Sequence, residues 1–293
     1  MKSINQVNKL SVLKTILYII ACIAIYIVIE VIGVLLTEWI SNPVIKVIIR
    51  ELFIRTPLTI ISLHFFAKKV IRTYDPNIIY CRPTFKGIMV WTGIGIALPV
   101  SIYLFYYLAH LMIPMSHTIA LSSSEKLEIA IKCITISIAA GLNEEILFRG
   151  HLYYILKERC SPIMAIFFSA LTFGLVHIFM LPKFTISDAL LVVVGGIING
   201  SMLSGVYRYT KVIWYAVIVH AVWDIFFIGK ITLITDLQSY ANQAIIALKI
   251  TSDKVIFTGA GFGLEAALPS LGVIIILAAG IYFSSIRRRR LAQ

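Results

Sequence analysis

From Thr15 to about Leu36 the chain carries a single charged residue, Glu30, and apolar runs of this kind recur to the end of the sequence. About 20 apolar residues in a helix cross the roughly 30 Å of hydrocarbon in a bilayer, and lipid admits only spans whose backbone groups bond internally. The runs are continuous and show no sustained alternation, so they predict helices and exclude a transmembrane barrel. Composition agrees. Apolar side chains make up 59% of the 293 residues, charged ones only 14%, and the mean hydropathy is +0.93. A soluble domain carries about 25% charged residues, and a disordered chain would be poorer in apolar groups still. The four cysteines (Cys22, Cys81, Cys133, Cys160) form no CxxC pair, which removes a disulfide scaffold and leaves them as packing residues.

The runs divide into eight expected spans: Thr15 to Leu36, Val44 to Phe66, Gly87 to Ile113, about Leu127 to Lys157, Pro162 to Leu181, Ala189 to Val206, Val212 to Ile228 and Leu271 to Ile286. The reading is an all-α, polytopic membrane protein with three parts. Residues 1–125 hold three helices, residues 126–228 a four-helix core, and residues 229–293 an extracytoplasmic segment and the last helix. Cys160, Ser161 and Pro162 break the fourth helix and start the fifth. Asp236 to Leu248 reads as an amphipathic surface helix. Net charge is +12. The basic residues gather at the N-terminus (Lys2, Lys9, Lys14), at Lys68, Lys69, Arg72, Arg82 and Lys86, at Arg149, Lys157 and Arg159, at Arg208 and Lys211, and at Arg287 to Arg290. With eight spans all of these fall on one side, which the positive-inside rule makes cytoplasmic, with both termini there. Contacts with anionic lipid, not nucleic acid, account for the excess charge.

Ionisable groups inside spans are costly unless paired or hydrated, and three clusters of them stand out. Glu144, Glu145 and Arg149 lie in the fourth span, Phe173 and His177 in the fifth, His220 and Asp224 in the seventh. Glu145 and Arg149 are spaced i and i+4 with the acid first, the favoured order for a helical ion pair. Glu144 lies about 100° round the helix from its neighbour and is left unpaired, as a general base requires. Asp224, four residues after His220, can fix the tautomer of that ring. Depth counted from Arg149 and Lys211 puts Glu144 about 7 Å and His220 about 14 Å inside, so the groups are expected to meet in the cytoplasmic half. Each cluster alone reads as a packed structural pair; their order and common depth favour one site. Glu30, His64, His110 and the Arg50-Glu51-Arg55 group read as interhelical or interfacial pairs. Gly196 and Gly200 form a GxxxG suited to close helix packing.

EExxxR, FxxxH and HxxxD in this order over about residues 125–228 resemble the motifs of the CAAX protease and bacteriocin-processing family of intramembrane proteases, also called the Abi family. The resemblance implies an eight-helix bundle with a cavity open to the cytoplasm. It implies that Glu144 and His177 activate a water and that His220 and Asp224 stabilise the oxyanion or complete the site. Members often carry Asn where this chain has Asp224, so His220 takes the oxyanion role and Asp224 becomes its orienter. Glu145 and Arg149 support the site. Two mechanisms stay open: Glu144 deprotonates the water, or zinc is held among Glu144, His177, His220 and Asp224 with a position left for water. The first is preferred.

The leading expectation is an intramembrane endopeptidase of the multi-pass type, in the plasma membrane of a bacterium, that cuts a membrane-bound lipidated protein, leader peptide or pheromone. The alternatives are a non-catalytic membrane scaffold that regulates a partner protein and a proton-coupled transporter. Residues 229–269 are expected to shape access from outside.

Overall fold

A computed structural model describes residues 10–72, 81–181 and 183–291; the expected basic start at Lys2 and Lys9 lies outside the described residues. Among the described residues four helices are long and apolar enough to cross a membrane: α1 (Val12–Thr37), α4 (Phe85–Leu108), Pro162–Met180 and α8 (Ile186–Thr210). α7 (Pro162–His177) forms most of the third of these. Around them pack α2 (Pro43–Ile48), α3 (Thr56–Phe66), α5 (Ser123–Glu145), α6 (Tyr153–Lys157), α9 (Ile213–Phe227) and α12 (Leu268–Leu291). π-helical turns at Ile49–Arg55 and Ile146–Leu152 join α2 to α3 and α5 to α6, so each pair reads as one interrupted rod. The chain is a helical integral membrane protein; the count of eight spans and the side on which the termini lie stay expectations.

Local chemistry sets the helix starts. Ser122 and Glu125 close a capping box at α5, each side chain satisfying the other's backbone N–H. Ser161 caps α7 with Pro162 in its first turn, at the expected break. α7 and α8 cross with almost no side chain between them. A Cβ on Gly196 would come within 2.4 Å of the Gly174 Cα, and one on Gly200 within 2.9 Å of the Ala170 Cβ. The GxxxG therefore faces α7 and brings two backbones together.

The helix ends define two faces. On one, Thr84 N–H donates to the Tyr215 hydroxyl at 2.9 Å, tying the start of α4 to the start of α9, and Tyr154 and Tyr207 share a 2.7 Å hydroxyl bond at the ends of α6 and α8. Arg82, Lys86, Lys157, Arg159, Arg208 and Lys211 belong to this face, here called the basic face. On the other face sits a small cap. β1 (Met112–Pro114) pairs antiparallel with β3 (Ile246–Ile250), and β3 pairs parallel with β2 (Thr232–Ile234). α10 (Gln238–Ala241), α11 (Val255–Thr258) and two 3-10 turns, Ala260–Phe262 and Leu264–Ala266, complete the cap.

Two expectations are corrected here. The surface helix at Asp236 to Leu248 is only the single turn of α10, because Ile246–Ile250 is taken by β3, whose central place in the sheet satisfies its backbone on both edges. The third span stops at Leu108, not Ile113. His110 takes a left-handed φ of 56°, and the residues after it enter β1.

Adding a methyl group where two backbones touch is overpacking, which costs about 1–3 kcal/mol. Gly196→Ala should lower the thermal midpoint of the detergent-solubilised protein measurably. Gly272→Ala, where a Cβ meets nothing within 4 Å, should leave it unchanged.

Candidate active site

Three helices bring the polar clusters together. Glu144 Oε2 lies 3.9 Å from His177 Nε2 and 3.8 Å from His220 Nε2, and His220 Nε2 lies 3.7 Å from Asp224 Oδ1. Glu144, from α5, is 14% exposed and His177, from α7, 15%. Asp224 and His220, both from α9, are almost fully buried. Glu144 Oε2 is itself buried and accepts no hydrogen bond among the described residues. A buried carboxylate oxygen with no donor is open to a hydrogen bond from a bound water.

Both imidazoles are aimed by their second nitrogens. His177 Nδ1 stands 2.7 Å from the Phe173 carbonyl one turn earlier. A carbonyl only accepts, so the proton sits on Nδ1 and Nε2 faces the cavity. The FxxxH spacing thus acts through the Phe173 backbone as well as its ring, whose centroid is 4.3 Å from that of His177. His220 Nδ1 stands 2.8 Å from Glu145 Oε1. Sequence reasoning expected Asp224 to orient His220, but the orienting bond comes from Glu145. Asp224 lies instead beside Nε2, the nitrogen that also faces Glu144.

Behind this layer Arg149 anchors the group. Its Nη1 donates to Glu145 Oε1 at 2.9 Å and its Nη2 to the Gly200 carbonyl at 3.0 Å, while its guanidinium carbon lies 4.9 Å from the Phe173 ring centroid. The expected i, i+4 pair is present, with both side chains buried (0% and 1% exposed). Arg149 is therefore enclosed by the bundle and does not face its surface. Gly200 is small because Arg149 Nη2 would lie 3.2 Å from any Cβ there.

The polar tips line a cavity of about 350 Å³ that also takes in Arg55, Asn199, Trp223 and, from the cap, Phe262 and Glu265. Sequence reasoning missed Glu265. Trp223 Nε1 donates to its Oε1 at 2.5 Å, and burial pushes its carboxyl up to about 7. The available signal was a lone acid in the apolar, glycine-rich stretch 259–268, set aside as a connection. Arg55 was read as an interfacial pair. It binds Glu51 at 2.7 Å and Glu30 at 2.6 Å and donates to the Tyr26 hydroxyl, so its charge is matched where it borders the cavity.

Zinc would draw these donor atoms closer together. Ligand atoms on one tetrahedral zinc lie about 3.4 Å apart at the usual bond lengths. The 3.7–3.9 Å separations here are wider. Among the described residues no group of three or more His, Cys, Asp or Glu is arranged to hold a metal ion.

No curated protein and no solved structure matches the chain significantly. Residues 126–226 match the model of one family, described as type II CAAX prenyl endopeptidase Rce1-like, and these are the residues that carry EExxxR, FxxxH and HxxxD. This match supports the resemblance to the CAAX protease family drawn from the motifs, over the third of the chain that carries them.

Proposed function

We propose that the protein is an intramembrane endopeptidase in which Glu144 activates a water to hydrolyse a peptide bond of a membrane-associated substrate. The observation that supports this reading is the approach of His177 Nε2 and His220 Nε2 to the same oxygen of Glu144, within 3.9 Å. A water at ordinary hydrogen-bond distances of about 2.8 Å can bridge that oxygen to either imidazole nitrogen.

His177 Nε2 carries a lone pair and accepts one O–H of that water. Glu144 takes the other proton as the oxygen attacks the carbonyl carbon. The carbonyl π bond opens to an oxyanion. His220, when protonated on both nitrogens, donates from Nδ1 to Glu145 and from Nε2 to the oxyanion, and Asp224 balances its charge. Glu144 then returns its proton to the leaving amine as the C–N bond breaks. Phe173 and Trp223 wall the cavity and keep bulk water from the charges, which strengthens every step. Lipidated proteins, leader peptides and pheromones are the substrate classes that the family match favours.

A proton relay across the membrane would need polar groups continuing to the basic face. Ile146, Leu147, Phe148, Leu152 and Ile155 supply most of that side, each at most 2% exposed, with His151 and Arg149, the latter paired to Glu145, buried among them. An idle scaffold has no use for a catalytic carboxylate and is separated by the first test.

With a farnesylated peptide library as substrate, Glu144→Gln should lower kcat by about 10²- to 10⁴-fold with little change in KM; wild-type kcat in this variant would remove the base. Glu145→Gln weakens the aim of His220 and should lower kcat by about 10- to 100-fold, as second-layer partners do. The glutamate mechanism further expects activity to survive exhaustive chelation, and loss that zinc restores would bring the metal into the site.

A further inference from the structure

Three acids line the cavity, and the water-activating chemistry uses two of them. Glu144 faces the two imidazoles and Asp224 lies beside His220 Nε2. Glu265 does neither and enters from the cap. Its presentation is built into the backbone. Gly259 and Gly263 both take left-handed φ values, 68° and 84°, where a side chain would be strained. A Cβ on Gly259 would come 1.7 Å from the Gly263 carbonyl oxygen, so the chain folds tightly back just before the turn Leu264–Ala266. Leu264, Ala266 and Ala267, each at most 3% exposed, seat that turn in the bundle. Glu265 between them is half-buried and lines the cavity. Its Oε1 is fixed by the Trp223 indole. Nothing among the described residues donates to Oε2, which stays open to the cavity.

The lining is short of positive charge to match these acids. Arg55 is its one permanent cation among the described residues, and Glu51 and Glu30 already hold it at 2.7 Å and 2.6 Å. Asp224, only 2% exposed, keeps its Oδ2 without any partner in the same wall. A buried carboxylate oxygen with no donor is costly, and a ligand that brings donors and positive charge relieves that cost. A backbone amide of a peptide brings one neutral donor, whereas an ammonium or guanidinium brings several donors together with the charge. Asn199, from α8, adds a side-chain carbonyl that accepts from the same groups. Burial pushes the Glu265 carboxyl up to about 7, and a cation seated against it would restore the charged form.

We propose that Glu265 is a specificity-determining residue, whose open oxygen receives a Lys or Arg side chain of the peptide substrate close to the bond presented to Glu144. The word substrate rests on the hydrolase reading. The recognition itself is read by binding.

The test uses the full-length protein in lipid nanodiscs, carrying Glu144→Gln to slow consumption of the peptide. Fluorescent farnesylated peptides are pooled with Arg, or with citrulline as its uncharged counterpart, fixed at one position near the prenylated cysteine and mixed residues elsewhere. At one position the Arg pool should bind about tenfold more tightly than its citrulline twin. Adding Glu265→Gln, which keeps an acceptor for the Trp223 indole, should bring the two affinities together. Equal affinities at every position before that substitution overturn the proposal. So does a preference for Arg that survives it, including a uniform weakening of both pools, which would reduce Glu265 to a brace for Trp223. A wild-type rate in Glu144→Gln would remove the base and leave this comparison intact, since the same ratio can then be read as kcat/KM.

Discussion

The buried pair of Glu145 and Arg149 is the constraint on which the rest of the site depends. Two opposite charges with 0% and 1% exposure survive in a bundle only if every partner is in place, since removing one member of such a pair costs about 3–5 kcal/mol. Arg149 needs the Gly200 carbonyl, so α8 must approach closely. That demands glycine at 196 and 200, which in turn draws α7 against α8 and carries His177 to its place. Glu145 has one oxygen committed to Arg149 and to His220 Nδ1 together. The ion pair thus couples α5, α7, α8 and α9, the four helices that supply or position the reactive groups.

The consecutive acids divide the work by geometry. A step of about 100° sends Glu145 back into the protein and Glu144 into the cavity. One is neutralised and rigid, the other faces the two imidazole nitrogens with no donor on its outer oxygen. The π-helical turn that begins at Ile146 lies where this division occurs, and such turns often accompany functional sites.

Much of this was legible in the sequence, for identifiable reasons. Helical spans are dictated by backbone satisfaction in lipid, the i, i+4 spacing announced the ion pair, and Pro162 announced the turn before α7. Contacts between distant segments were not legible. His220 lies four residues from Asp224 yet takes its orienting bond from Glu145, 75 positions away, and no periodicity encodes that choice. Glu265 was hidden because a connection offers no pattern from which to infer burial. An arginine near a helix end was read as a membrane-surface marker, when full pairing lets a guanidinium sit deep in the bundle. The cap strands were missed because short apolar runs of five residues do not reveal their partners.

The central claim is that Glu144 and His177, from different helices, act on the same water. A double-mutant cycle on kcat/KM measures this most directly, comparing Glu144→Gln, His177→Ala and the combined variant. Groups that work as one unit are strongly non-additive, so the double variant should be no slower than the worse single variant by more than a few-fold. Losses that multiply in full would show that the two residues act independently and would contradict the account.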